Sequence, residues 1–213
     1  MIEKLLAEIS QKYPLSQLDA GEFASIKIGG INFKIGSYRA KGFGSVSIMR
    51  AKALGGLIKM DTLIINPTGV DLPLYSYDRV YALGNDTLII EMYDTMSDEF
   101  NQDKLNRVKR KYIHLSERDP GAHWYDSIKL ESSVSKKCKK KHTPELDLLT
   151  IDYLEAYLDS AEGSADKDVK KKKAEYYVNG LLEKGGPSTD VFIRELGRAK
   201  TEELFKKFLF GIN

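Results

Sequence analysis

At 213 residues the chain has room for one large domain or two small ones. A hydrophobic content of 42%, a charged content of 30% and a net charge of only +2 are an ordinary globular balance, and they exclude a polyanion binder by bulk charge. Cys138 is the only cysteine, which excludes an intrachain disulfide and any cysteine-rich zinc or iron–sulfur site.

Residues 2–13 place Ile2, Leu5, Leu6 and Ile9 at helical spacing, directly after Met1 and with no apolar signal core. No run approaches the ~20 apolar residues of a membrane span, so a cytoplasmic protein without a membrane partner is expected. After a loop from Pro14 to Gly21 the period changes. Residues 23–28, 31–40, 43–51, 57–65, 73–83 and 87–94 read as six strands, separated by Gly-Gly and Gly-Asn-Asp turn signals. The gaps are too short for helical crossovers, so the strands should pair antiparallel. From Ser97 the helical period takes over: Phe100, Leu105, Val108 and Tyr112 mark one helix, and Leu146, Leu149, Tyr153, Leu154 and Tyr157 the next. A third helix spans 167–184, with Lys170 to Lys173 expected on its exposed side. Pro187 suits the first turn of a fourth, and Leu204, Phe205, Phe208 and Leu209 belong to the last. Strands followed by helices predict a single α+β domain over 1–213, a three-layer α/β/α sandwich with an antiparallel sheet of about six strands.

The chemistry is sparse. His114, His123 and His142 lack the i, i+4 spacing of a zinc-binding helix, and a metal site requires the fold to gather them. No P-loop, dinucleotide fingerprint or nucleophile elbow is present. Two lysine clusters, Lys136 to Lys141 and Lys167 with Lys170 to Lys173, are candidate surfaces for RNA, DNA or an acidic protein, and the first follows a serine-rich stretch with no aromatic interleaving. That cluster suits a solvated face, or an acidic protein partner at least as well as a nucleic acid.

Asp78 stands out because it follows alternating apolar and aromatic residues. On a strand it shares a face with Leu74 and Ser76. An acid among apolar neighbours is costly to ionise and holds its proton near neutrality, which suits proton donation. A strand-end aspartate capping a turn amide is the other reading. Tyr75, Tyr77, Tyr81 and Tyr93 are placed either to line a pocket for a flat conjugated ligand or to pack across strands.

Several segments, in order along the chain, resemble the ferredoxin-dependent bilin reductases. Asp71-Leu72-Pro73-Leu74-Tyr75-Ser76-Tyr77-Asp78 is similar to that family's Asp-Leu-Pro-x-Phe-Gly-x-Asp strand. Trp124-Tyr125-Asp126-Ser127-Ile128 resembles its Trp-Gly-x-Ile-Phe-Ser region, Tyr153 to Leu158 the helix that follows, and Glu195 to Phe210 its closing helix. The resemblance implies a linear tetrapyrrole bound between the sheet and the C-terminal helices, and no tightly bound cofactor. It implies electrons delivered singly by reduced ferredoxin or a similar acidic carrier, with Asp78 as the proton donor. Tyr75 and Tyr77 would frame the substrate, and Arg50 and Lys59 would anchor its acid groups. Thr62 stands where the family carries His or Asn, Arg50 where it carries Glu, and Gly186 where it carries the Asp of an Asp-Pro pair. Arg50, if inward, would lower the pKa of Asp78. A tetrapyrrole or haem carrier without chemistry is the second reading that follows, and an acidic-protein or nucleic-acid adaptor the third.

Overall fold

A computed structural model describes residues 1–212 apart from Glu162, Ser164, Pro187 and Ser188. The expectation for Pro187 lies outside the described residues. The centre is an antiparallel sheet of eight strands. They are β1 (Leu15–Leu18), β2 (Ser25–Ile28), β3 (Ile31–Ala40), β4 (Gly44–Ala53), β5 (Ile58–Pro67), β6 (Leu74–Ala82), β7 (Asn85–Tyr93) and β8 (Val134–Lys139). Strands β3 to β8 follow one another across the sheet, while β1 and β2 share the outer edge of β3. All six expected strands are present, and β1 and β8 are additional. Strand β1 escaped the sequence reading because three of its four residues are exposed and give no alternation. Strand β8 escaped it because its inward positions include a lysine.

The helices divide between the two faces. Helices α1 (Ile2–Lys12), α2 (Asp103–Lys111) and α3 (Thr143–Leu158) cover one side. There Ile2, Leu5 and Ile9 meet Leu63, Tyr75, Tyr77, Leu149 and Tyr153 in one buried cluster. The other side carries α4 (Lys167–Lys184), α5 (Thr189–Leu196), α6 (Arg198–Glu203) and a π-helical turn over Leu204–Leu209. Its cluster joins Ile35, Ile64 and Leu74 to Tyr177, Phe192 and Phe208. The chain is thus the expected α+β sandwich. Strand alternation sends successive residues of each central strand to different helical layers.

Strand β6 is tied down at both ends. At its start, Asp71 accepts from the Ser97 and Asp98 amides (both 2.9 Å), and the Leu74 amide donates to Thr95 Oγ1 (3.0 Å). The Leu72 carbonyl accepts from Lys170 Nζ (2.6 Å) and the Pro73 carbonyl from the Tyr157 hydroxyl (2.8 Å). At its far end, Arg79 and Asp86 form an ion pair that is almost wholly buried. Asp86 also accepts from Thr143 Oγ1 at 2.7 Å, which ties the β6–β7 hairpin to α3.

Two lysines depart from the exposed positions expected of their clusters. Lys136 is buried on β8, with its ammonium on the Leu115 carbonyl (2.9 Å) and Glu117 (2.5 Å). Lys170 is buried under β6, and burial lowers its pKa to about 8 against the pull of Asp71. In both, a long stem crosses apolar surface to reach an orphan carbonyl, a placement that composition does not reveal.

Candidate active site

Register decides which side chains share a face. Directly paired residues of antiparallel strands point the same way, so Met49, Thr62, Asp78 and Ile89 form one row across β4 to β7. Ser76 and Glu91 form the next row on that side. Together they floor a cavity of about 790 Å³ between the sheet and the C-terminal helices, a size suited to a small-molecule site. Tyr177, Leu181, Phe192, Phe205 and Phe210 roof it. A loop bearing Arg118, His123, Trp124 and Tyr125 makes a side wall.

Asp78 is surrounded by protein and keeps only partial exposure, on the row that faces the cavity. Burial pushes its carboxyl up to about 6, opposed by hydrogen bonds from Thr62 and Ser76 and reinforced by the charge of Glu91. The Thr62 hydroxyl bonds Asp78 Oδ1 at 2.5 Å. Glu91 sits diagonally across the β6–β7 pair from Asp78. It accepts from the Tyr93 hydroxyl (2.6 Å) and lies 3.6 Å from Lys129, which also bonds Asp126 at 2.5 Å. The floor therefore holds two carboxylates of different character, one free to keep a proton and one tied to a phenol and a cation.

The aromatic wall is locked to the roof. Tyr93 stacks on Tyr177 with centroids 4.1 Å apart, and Tyr125 meets both rings edge-on. The Trp124 indole donates to the Gly185 carbonyl (2.8 Å) and lies on α4 where Gly180 has no side chain. A Cβ at position 180 would come within 2.1 Å of the indole ring. The His123 ring lies parallel to Tyr125, its buried Nδ1 without a hydrogen bond among the described residues and 4.0 Å from Asp126 Oδ1.

Of the residues singled out from sequence, Asp78 and Thr62 meet at this cavity. Four others, Tyr75, Tyr77, Arg50 and Lys59, do not, contrary to expectation. Tyr75 and Tyr77 alternate with Ser76 and Asp78, so they point into the opposite core, where Tyr75 packs on Tyr157. Arg50 pairs with Asp61, one residue from Thr62, and with Glu3 of α1, which places it on the face away from Asp78. It does not lower the Asp78 pKa, which burial raises. Lys59 is exposed on that same far side, opposite Tyr81. Among the tyrosines only Tyr93 of the four expected candidates lines the cavity. His114 and His142 both bond Glu145 (2.8 and 2.7 Å), apart from His123, and the described residues hold no cluster of three potential metal ligands.

Sequence reading missed Glu91 and Tyr177, and it weighed His123 only as a metal ligand. Glu91 was legible in principle, because the β6–β7 turn sets the register that puts it near Asp78. His123 and Tyr177 arrive from a loop and a distant helix, and no local pattern marks them.

No known protein-family profile matches the sequence, and no curated protein matches it. Among solved structures, the crystal structure of selenomethionine phytochromobilin synthase from tomato in complex with biliverdin is similar, with a TM-score of 0.78 and 16% sequence identity. The match covers 99% of this chain and 81% of that one. The chain therefore shares the fold of that synthase along nearly its whole length.

Proposed function

We propose that this protein reduces a linear tetrapyrrole, with Asp78 delivering a proton to the bound pigment and a one-electron carrier such as reduced ferredoxin supplying the electrons. The observation that carries this reading is a carboxyl group of raised pKa on the floor of a largely apolar, aromatic-walled cavity. The fold neighbour, solved in complex with biliverdin, supports a ligand of that class.

Saturating one conjugated double bond consumes two electrons and two protons. Two equivalents of a one-electron carrier provide the electrons. Asp78 gives one proton at a time to the increasingly basic pigment and is reprotonated from solvent. With a pKa of about 6, about a tenth of the population is protonated at pH 7 before the ligand further desolvates the group. Substrate binding would raise that fraction, because displacing cavity water disfavours the carboxylate further. The apolar roof and the Tyr93–Tyr177 stack supply flat contact area for the rings. Arg118 and Lys184, which line the cavity, are the cations available to acidic substituents, in place of Arg50 and Lys59.

The test is a spectral titration of the purified chain with biliverdin, followed by reduced ferredoxin. Binding should shift the pigment absorbance, and turnover should require the carrier. Asp78→Asn should keep binding and stop reduction; normal turnover by that variant removes the proposed role. A second reading, a tetrapyrrole or haem carrier without chemistry, draws support from Thr62, whose hydroxyl cannot act as a ring base beside Asp78. A bound-pigment spectrum that reduced ferredoxin leaves unchanged selects it.

A further inference from the structure

One end of the sheet carries leucines where turn chemistry favours glycine or asparagine. Leu54 and Leu57, between β4 and β5, are 68% and 67% exposed, and Leu83, between β6 and β7, is 80% exposed. Ile58 pairs with Ala82, so the two hairpin tips are neighbours. Leu54 and Leu83 hold φ of 50° and 49°, a left-handed backbone that a leucine adopts only under strain. Strained, exposed and adjacent apolar side chains form a patch rather than scattered surface leucines.

The patch is ringed by unneutralised positive charge. Lys27, Lys34, Lys52 and Lys59 are exposed on the strands behind the tips. Lys139, Lys140 and Lys141 flank the Leu83 tip, where the Lys140 amide bonds the Gly84 carbonyl at 3.0 Å. The acids of this end are engaged elsewhere, Asp61 by Arg50 and Asp86 by Arg79. Among the described residues none of these seven lysines has an ion-pair partner. Between the tips and the strands runs a groove of about 940 Å³ lined by Lys34, Arg50, Lys52, Leu57, Lys59 and Lys140.

The geometry points to peripheral docking of this end on an anionic lipid bilayer, with the leucine tips in the acyl boundary and the groove cations on headgroup phosphates. The order of groups favours a bilayer over other anionic partners. The apolar side chains project furthest and the cations lie behind them, as insertion to the headgroup boundary requires. A protein interface puts its apolar anchors at a fully buried centre depleted of lysine. A single-strand groove adds stacking platforms to its cations, and Tyr81 is the sole aromatic lining this one; a duplex backbone offers the exposed leucines no apolar partner. No helix among the described residues is long and apolar enough to cross a membrane, and this superficial contact does not need one. It is independent of the chemistry proposed for the Asp78 cavity, which lies on the other face of the sheet.

The test is co-sedimentation of the full chain with vesicles of phosphatidylglycerol and phosphatidylcholine, against vesicles of phosphatidylcholine alone. Binding is expected to the anionic vesicles only, and to fall at high salt. The double variant Leu54→Asn, Leu83→Asn should weaken it by about tenfold or more. Asparagine accepts the left-handed backbone, so the melting temperature should hold or rise, which separates lost contact from lost fold. Lys52→Gln with Lys59→Gln should weaken it by about tenfold as well. Equal binding to neutral vesicles, no binding to either, or full binding by the asparagine variant overturns the proposal. So does binding to polyglutamate or duplex DNA without binding to vesicles.

Discussion

Asp78→Asn has a consequence for stability that is independent of any substrate. The folded carboxyl is pushed up to about 6, against 3.8 for an aspartate in water. The folded state therefore binds the proton more tightly than the unfolded chain. Its contribution is fully present below pH 4 and is lost as pH rises through about 6. The separation of about 2 pH units is worth about 3 kcal/mol at 1.36 kcal/mol per unit. Asparagine is isosteric, cannot ionise and still offers an oxygen to the Thr62 hydroxyl. The variant should match the native protein near pH 4 and exceed it by about 2 to 3 kcal/mol at pH 8. For a chain of this size that is a rise of about 4 to 12 °C in melting temperature. Urea denaturation at pH 4.5, 6 and 8 measures the curve, and a carboxyl carbon chemical shift followed against pH reads the site itself. A variant destabilised at pH 8, or shifted equally at every pH, would refute the placement of Asp78 as a desolvated acid.

Other substitutions probe what holds the site. Gly180→Ala would ordinarily strengthen a helix by about 1 kcal/mol; here it should unseat the Trp124 indole, which quenching of the single tryptophan's fluorescence detects as greater access. Wild-type protection in that variant would contradict the contact. Asp86→Ala leaves Arg79 buried without its main partner and should cost about 3 to 5 kcal/mol by urea denaturation. A loss below 1 kcal/mol would mean that the pair is solvated. Lys170→Met replaces a buried ammonium that titrates at about 8. Native stability should rise as pH climbs through 8 toward 10.5, since the folded state binds that proton more weakly. The methionine variant should lack this rise, and Asp71 keeps its two amide donors.

Much of the architecture is written locally. The period-two runs with glycine turns mark β2 to β7, and their short connections compel antiparallel pairing. Alternation alone places Asp78 with Ser76 and against Tyr77. Followed strictly, the same alternation also excludes Tyr75 and Tyr77 from the site, because they occupy odd positions on a strand whose acid is even. Strands β1 and β8 were illegible, the first because the sheet edge leaves it exposed, the second because an inward lysine breaks the hydrophobic pattern.

Sequence by itself determined the strand faces, the layer order and the candidacy of one acid, since each follows from interactions between near neighbours in the chain. Tertiary structure alone decided that Arg50 turns to Glu3 and Asp61, that Tyr177 and His123 reach the cavity, and that seven lysines gather around three leucines at one end. Those facts depend on how distant segments pack, and a carboxyl's pKa or a patch's charge is a property of everything that surrounds it in space.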